Sequence, residues 1–194
     1  MNTMQLSQFR LYFTGAVTII ILALLSWQFS HDGVPSHHLF QRADLPAMSN
    51  WWGALLLPVL SWVLIGRINK RVLLQHSTET RTEREYDQLQ YPAATKIGFV
   101  VALIYSALQS IFFISGHSEI AGIMFFGILF IAIFFKVYRE ECILAFILGM
   151  SVVFGAVLPT IFAITISLAS ALVYHSLRFV WAGINSLFLR TNKS

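Results

Sequence analysis

The sequence predicts an all-α fold, a polytopic membrane helix bundle, and three observations predict it. Charged residues make up only 11% of the 194, while 57% are hydrophobic and mean hydropathy is +0.70. A soluble domain of this size needs more charge than that. The charges also fall in clusters separated by long apolar runs, the spacing of a multi-pass chain and not of a nucleic-acid binder. Lysine and arginine, finally, are shared unevenly between alternate clusters, and that asymmetry orients the bundle.

A hydrocarbon core about 30 Å thick needs roughly 20 apolar helical residues. The first predicted span runs from Leu11 to Gln28 and the second from Trp51 to Gly66. The third runs from Ile97 to Ser115 and the fourth from Ile120 to Phe135. Cys142 to Tyr174 carries no charge and is too long for one span. Gly155-Ala156-Val157-Leu158-Pro159 interrupts it, because Pro159 has no helical N–H and disfavours α geometry in the residue before it. Two spans are therefore expected, Cys142 to Leu158 and Thr160 to Leu177, joined by a tight turn. One long kinked helix is the alternative, and it would leave five spans instead of six.

The first span is longer than a signal-peptide core and no A-x-A pattern follows it, so it reads as a retained anchor. Neither Phe29 to Asn50 nor Arg67 to Thr95 is long enough for a folded domain, and no internal repeat is visible. The whole of 1–194 is one membrane domain with an outer loop at 29–50 and an inner loop at 67–96.

With the N-terminus inside, the inner segments hold Arg10, Arg67, Lys70, Arg71, Arg81, Arg84, Lys96, Lys136, Arg139, Arg178, Arg190 and Lys193. The outer loops hold only Arg42, so the positive-inside bias is twelve to one. Both termini are expected in the cytoplasm, and the compact chain points to a bacterial inner membrane. Trp27, Trp51 and Trp52 suit an outer interfacial belt. Arg67-Ile68-Asn69-Lys70-Arg71 forms a basic collar below the second span, placed to touch anionic lipid. Glu79 to Asp87 alternates in sign and reads as a solvated connector, or else as a docking element for a partner, until Tyr91-Pro92 ends it. Beyond the last span Leu177, Val180, Trp181, Ile184, Leu187 and Phe188 recur at helical spacing. They predict an amphipathic C-terminal helix at the inner interface, the alternative being a continuation of the last span.

Four of the six histidines fall on the outer side: His31, His37 and His38 in the first loop, and His117 in the second. With Asp32, Asp44 and Glu119 they supply enough imidazole and carboxylate groups for a divalent metal such as zinc, which takes three or four. The candidate ligands are His31, His37, His38, Asp44 and His117. No H-x-x-x-H or H-E-x-x-H spacing fixes two of them on one helix face. Helix capping and headgroup contact are thus the competing reading, and Ser49 or Asn50 is expected to cap the second span.

The spans hold no Asp, Glu, Lys, Arg or His near their middles, which argues against proton- or ion-coupled transport. In the third span Tyr105, Ser106, Gln109 and Ser110 form a polar stripe that reads as interhelical glue, or else as a pocket reaching in from outside. Ser151, Gly155, Ala163, Ser167 and Ala171 are small enough to admit close helix approach, within the bundle or between protomers. The single cysteine, Cys142, excludes an intrachain disulfide.

Two short segments resemble known families. Ser115-Gly116-His117-Ser118 is similar to the P-S-G-H block of phosphatidic-acid-phosphatase-type membrane phosphatases. Here Ile114 replaces the proline, and the two partner blocks of that family are missing. Asp44-Leu45-Pro46-Ala47-Met48-Ser49-Asn50 is similar to the approach to the second helix of the alkaline ceramidases. Those zinc-dependent hydrolases also use an acidic residue in the third span and a late H-x-x-x-H, and this chain has neither. His175 stands by itself near the inner face.

Three functional expectations follow. The first is an outward His/Asp cap that binds a metal, a ligand or a lipid headgroup. The second is a non-enzymatic subunit or sensor that acts through a partner membrane protein or a homo-oligomer. The third is a metal-dependent membrane hydrolase, which needs His31, His37 or His38, and Asp44 to converge.

Overall fold

The structure is a computed structural model of the chain and describes residues 3–31, 33–34, 36–38, 47–79, 90–134 and 136–191. Among the described residues six helices follow in order: α1 (Thr3–His31), α2 (Trp52–Glu79), α3 (Ala93–Ile114), α4 (Ser118–Phe134), α5 (Glu140–Phe154) and α6 (Val157–Thr191). Between α1 and α2 a small antiparallel ribbon pairs β1 (Ser36–His38) with β2 (Ala47–Ser49), setting His37 opposite Met48. The first four predicted spans coincide with α1 to α4, but several helices run further. Polar residues that cannot lie in hydrocarbon still continue a helix, since its hydrogen bonds are internal. α2 thus carries the basic collar through to Glu79, and α6 continues to Thr191 without a break. Residues 80–89 and the side chains of 177–191 lie outside the described residues, and with them the alternating charges and the amphipathic face.

The apolar run from Cys142 divides, as expected, into two helices, but not at Pro159. α5 ends at Phe154, and Gly155 turns the chain with φ 69°, in the left-handed region that glycine tolerates. A Cβ at Gly155 would also stand 2.2 Å from Asn50 Oδ1. Pro159 sits in the first turn of α6, where a missing N–H costs nothing because that donor has no helical acceptor. Gly155, not the proline, sets the break.

Side-chain contacts sort the helix termini among the described residues into two ends. At the first, Asn69 Nδ2 donates to the Leu6 carbonyl at 3.0 Å and Arg71 pairs with Glu141. At the other, Ile21 packs on Gly53, Asn50 meets Gly155, and the rings of Phe113 and Phe154 lie 4.5 Å apart. The first end carries Lys70, Arg71, Lys96, Lys136 and Arg139 and is called the basic end here. The opposite end carries His31, the ribbon and the turn at His117.

The short helix α5 is the hub, flanked by α2, α3 and α6, with Leu144, Ala145 and Ile147 wholly buried. Its tightest neighbour is α3. Ser106 Oγ donates to the Ala145 carbonyl at 3.3 Å and Ser110 Oγ to the Gly149 carbonyl at 3.1 Å. On the adjoining face Gln109 Nε2 reaches the Ala121 carbonyl at 3.5 Å and the Tyr105 hydroxyl donates to the Met124 carbonyl, both on α4. The polar stripe of α3 is interhelical glue. Many of the side chains pointing outward are large and apolar, Phe126 and Leu172 each being 71% exposed. A surface of that kind suits lipid. α1, α2, α3 and α6 are long and apolar enough to cross a membrane, consistent with an α-helical membrane protein.

The α3–α5 contact yields a sharp expectation. A Cβ at Gly149 would lie 2.0 Å from Ser106 Oγ and 2.9 Å from its Cβ. Gly149→Ala should cost about 1–3 kcal/mol, the usual cost of overpacking. Ser106→Ala, which removes one interhelical hydrogen bond, should cost roughly 0.6 kcal/mol. Adding Ser106→Gly to Gly149→Ala should recover much of the loss when unfolding is followed in mild detergent. An unchanged melting temperature in Gly149→Ala would contradict this packing.

Candidate functional site

The basic end is built around the start of α5. Arg139 has extended backbone (ψ 143°), and Glu140 and Glu141 then open the helix, where carboxylates suit the positive end of its dipole. Glu141 is 1% exposed. Its Oε2 accepts from Arg71 Nη2 at 2.6 Å, and its Oε1 lies 2.7 Å from Arg139 Nε. The second contact is an ion pair without hydrogen-bond alignment, so Oε1 keeps an open acceptor position. Arg71 also donates through Nη1 to Glu140 Oε2 at 2.6 Å, and Arg139 Nη2 donates to Thr95 Oγ1 at 3.3 Å. One carboxylate therefore ties α5 to α2, and through Arg139 to α3.

A second link runs beside it. The Tyr91 hydroxyl donates to Asn69 Oδ1, and Asn69 in turn donates to Leu6 of α1. Burial pushes the Tyr91 phenol from 10.0 up to about 12, which keeps it a neutral donor at any ordinary pH. Phe9 packs on the same ring at 5.4 Å.

Between α3, α4, α5 and α6 lies a cavity of about 640 Å³. Its walls are apolar: Ile97, Val101 and Ala102 from α3, Ile128 and Ile131 from α4, Phe146 from α5, and Ala163 and Ile166 from α6. Among the described residues its charged groups are Lys136, Arg139 and Glu141, which form the mouth at the basic end beside Cys142. Lys136 Nζ sits 5.0 Å from the centre of the Tyr174 ring. At the far end of the cavity Tyr105 has its hydroxyl turned away to the Met124 carbonyl. The volume falls within the roughly 300–1,000 Å³ of small-molecule sites. Glu140, Glu141 and the cavity were not foreseen from sequence. The available signal was the acidic pair directly after Arg139 at the head of an uncharged run.

The outer histidines are placed only in part. His31 ends α1, with Nδ1 3.0 Å from the Trp27 carbonyl and its ring stacked on Trp27 at 4.4 Å. His117 is exposed and edge-on to Phe112 at 6.4 Å. His37 and His38 belong to β1, but their side chains lie outside the described residues, as do Asp32 and Asp44 entirely. Among the described residues no three His, Cys, Asp or Glu gather closely enough to hold a metal ion. Ser115-Gly116-His117 has a structural role. His117 N donates to the Phe112 carbonyl and Gly116 N to the Phe113 carbonyl, with Gly116 at φ 80°, which is a Schellman stop for α3. At the start of α2, Ser49 Oγ accepts from Trp51 N at 3.4 Å, while the Asn50 side chain is turned to Gly155.

The ion cluster makes unequal demands on its two acids. Glu141→Gln leaves two arginines without their shared counter-charge, a loss of roughly 3–5 kcal/mol for a fully buried pair. Because Arg71 and Arg139 are each 25% exposed, the expected loss is near the lower figure. Glu140→Gln, at a site 27% exposed, should cost under about 1 kcal/mol. Unfolding of both variants in the same detergent checks the contrast, and equal losses would contradict it.

Compared with known proteins, the chain matches no family model, no curated protein and no solved structure.

Proposed function

We propose that this chain is a six-span protein of a cell membrane, with both termini cytoplasmic, that works by binding a membrane-soluble ligand in the cavity between α3 and α6. The single observation that carries the reading is the cavity's polarity: apolar walls and, among the described residues, charge only at the basic end. α5 supports the six-span count although its 15 residues extend only about 22 Å. Its start meets Arg71 and its end meets Asn50, so it joins the same two ends that α2 joins. The lysine and arginine bias puts the basic end in the cytoplasm. Binding is favoured over ion or proton conduction because the buried acid Glu141 lies at that end, and the run from Cys142 to Tyr174 offers no further charge.

The test is to fill the space. Ala102→Phe on α3, or Ile131→Trp on the part-exposed wall of α4, should abolish retention of phosphatidylcholine by protein purified from phosphatidylcholine nanodiscs. Native mass spectrometry reads the retained lipid, and a melting curve in the same detergent shows that the variants fold. Unchanged retention in both folded variants would overturn the reading. Capture of a partner's membrane helix instead would favour the subunit.

A second reading keeps the outer histidines. His31, the ribbon bearing His37 and His38, and the His117 turn all lie at the end opposite the basic one, the arrangement a metal or headgroup cap requires. A bound divalent ion should appear in purified protein at about one per chain and vanish in the His31→Ala/His37→Ala/His38→Ala variant. Negligible metal in both would remove this reading.

A further inference from the structure

We propose that the cavity's occupant is an anionic phospholipid of the cytoplasmic leaflet, its acyl chain between α3 and α6 and its phosphate against Lys136 and Arg139. This rests on the binding role proposed above and adds the chemistry of the head. The charges at the mouth decide it. Arg71 and Arg139 are matched by Glu140 and Glu141 in the ion cluster, two cations to two carboxylates. Lys136 is left over: it has no carboxylate partner among the described residues, and its Nζ rests over the Tyr174 ring. Among the described residues the mouth therefore carries a surplus of one positive charge where the apolar walls end.

Arg139 adds donors. Its Nε faces Glu141 and its Nη2 faces Thr95, which leaves N–H groups of a guanidinium that lines the cavity open to a phosphate oxygen. A zwitterionic head would bring its own cation to a mouth that already has an excess one. A phosphodiester without that cation is complementary. The leaflet follows from the same bias that orients the bundle, because anionic headgroups attract a basic end. A wholly apolar ligand would leave the charged mouth unused, and a carboxylate amphiphile would present fewer acceptor oxygens to two separate cations.

The experiment uses the full chain in nanodiscs made of equal parts phosphatidylglycerol and phosphatidylcholine, with native mass spectrometry reading the lipid retained after transfer to mild detergent. Wild-type protein should retain phosphatidylglycerol over phosphatidylcholine by about fivefold, the effect of one lysine near an anionic surface. Lys136→Gln should retain as much lipid in total with that preference lost. Lys70→Gln, at an exposed basic-end lysine outside the cavity lining, should keep the preference. Ala102→Phe should retain neither lipid.

If Lys136→Gln keeps the fivefold preference, or Lys70→Gln loses it equally, the headgroup assignment is wrong while the cavity reading stands. If folded Ala102→Phe retains lipid as the wild type does, the cavity reading itself fails. Nanodiscs of phosphatidylcholine with added oleate supply the remaining arm. Selective retention of oleate through Lys136 to the same degree would overturn the phosphodiester assignment.

Discussion

Glu141 can leave water only in the company of the two arginines, and the geometry of the basic end follows from that constraint. A carboxylate 1% exposed at the head of an apolar helix is costly unless it is paired and hydrogen-bonded. Arg71 from α2 and Arg139 from the α4–α5 connection supply the pairing, and Arg139 reaches on to Thr95 of α3. A paired buried ion contributes little net stability over a well-packed apolar replacement. What it supplies is position, because the pairing is satisfied in one register of α2 against α5. The tyrosine and asparagine link to α1 repeats the logic with neutral groups.

The rest of the bundle depends on the hub that this cluster fixes. Once the head of α5 is set, Ala145 and Gly149 lie opposite Ser106 and Ser110, and α3 closes on α5 at a distance that only glycine allows. α4 and α6 pair elsewhere, through Ser170 donating to the Ala132 carbonyl at 2.8 Å and through the rings of Phe125 and Phe162. The space between the two helix pairs is the cavity, lined by all four helices. The close α3–α5 contact thus forms one wall of the cavity, with α4 and α6 supplying the rest.

Much of the fold was legible in the sequence because it is written locally. Apolar length gave the helices, charge clusters gave their alternation, and the serine and glutamine spacing on α3 gave a packed face. Pro159 misled by three to four residues, since a proline is tolerated in a first helical turn and the position of that turn was set by Gly155. The ion cluster and the cavity were not legible. Both arise from residues some 40 to 70 positions apart, Thr95 with Arg139 and Arg71 with Glu141, and no periodicity within one segment records that pairing. The histidines were conspicuous for the opposite reason, being clustered in sequence, whereas His117 is explained by the turn that ends α3.

The most direct test of this account is a double-mutant cycle on Arg71 and Glu141, with each changed to alanine singly and together and unfolding followed in one mild detergent. If Glu141 sets the register of α5 through Arg71, the pair should couple by more than about 1 kcal/mol, beyond the roughly 0.5 kcal/mol by which independent sites depart from additivity. Losses that simply add would show that the two residues touch without the fold depending on them, and would contradict it.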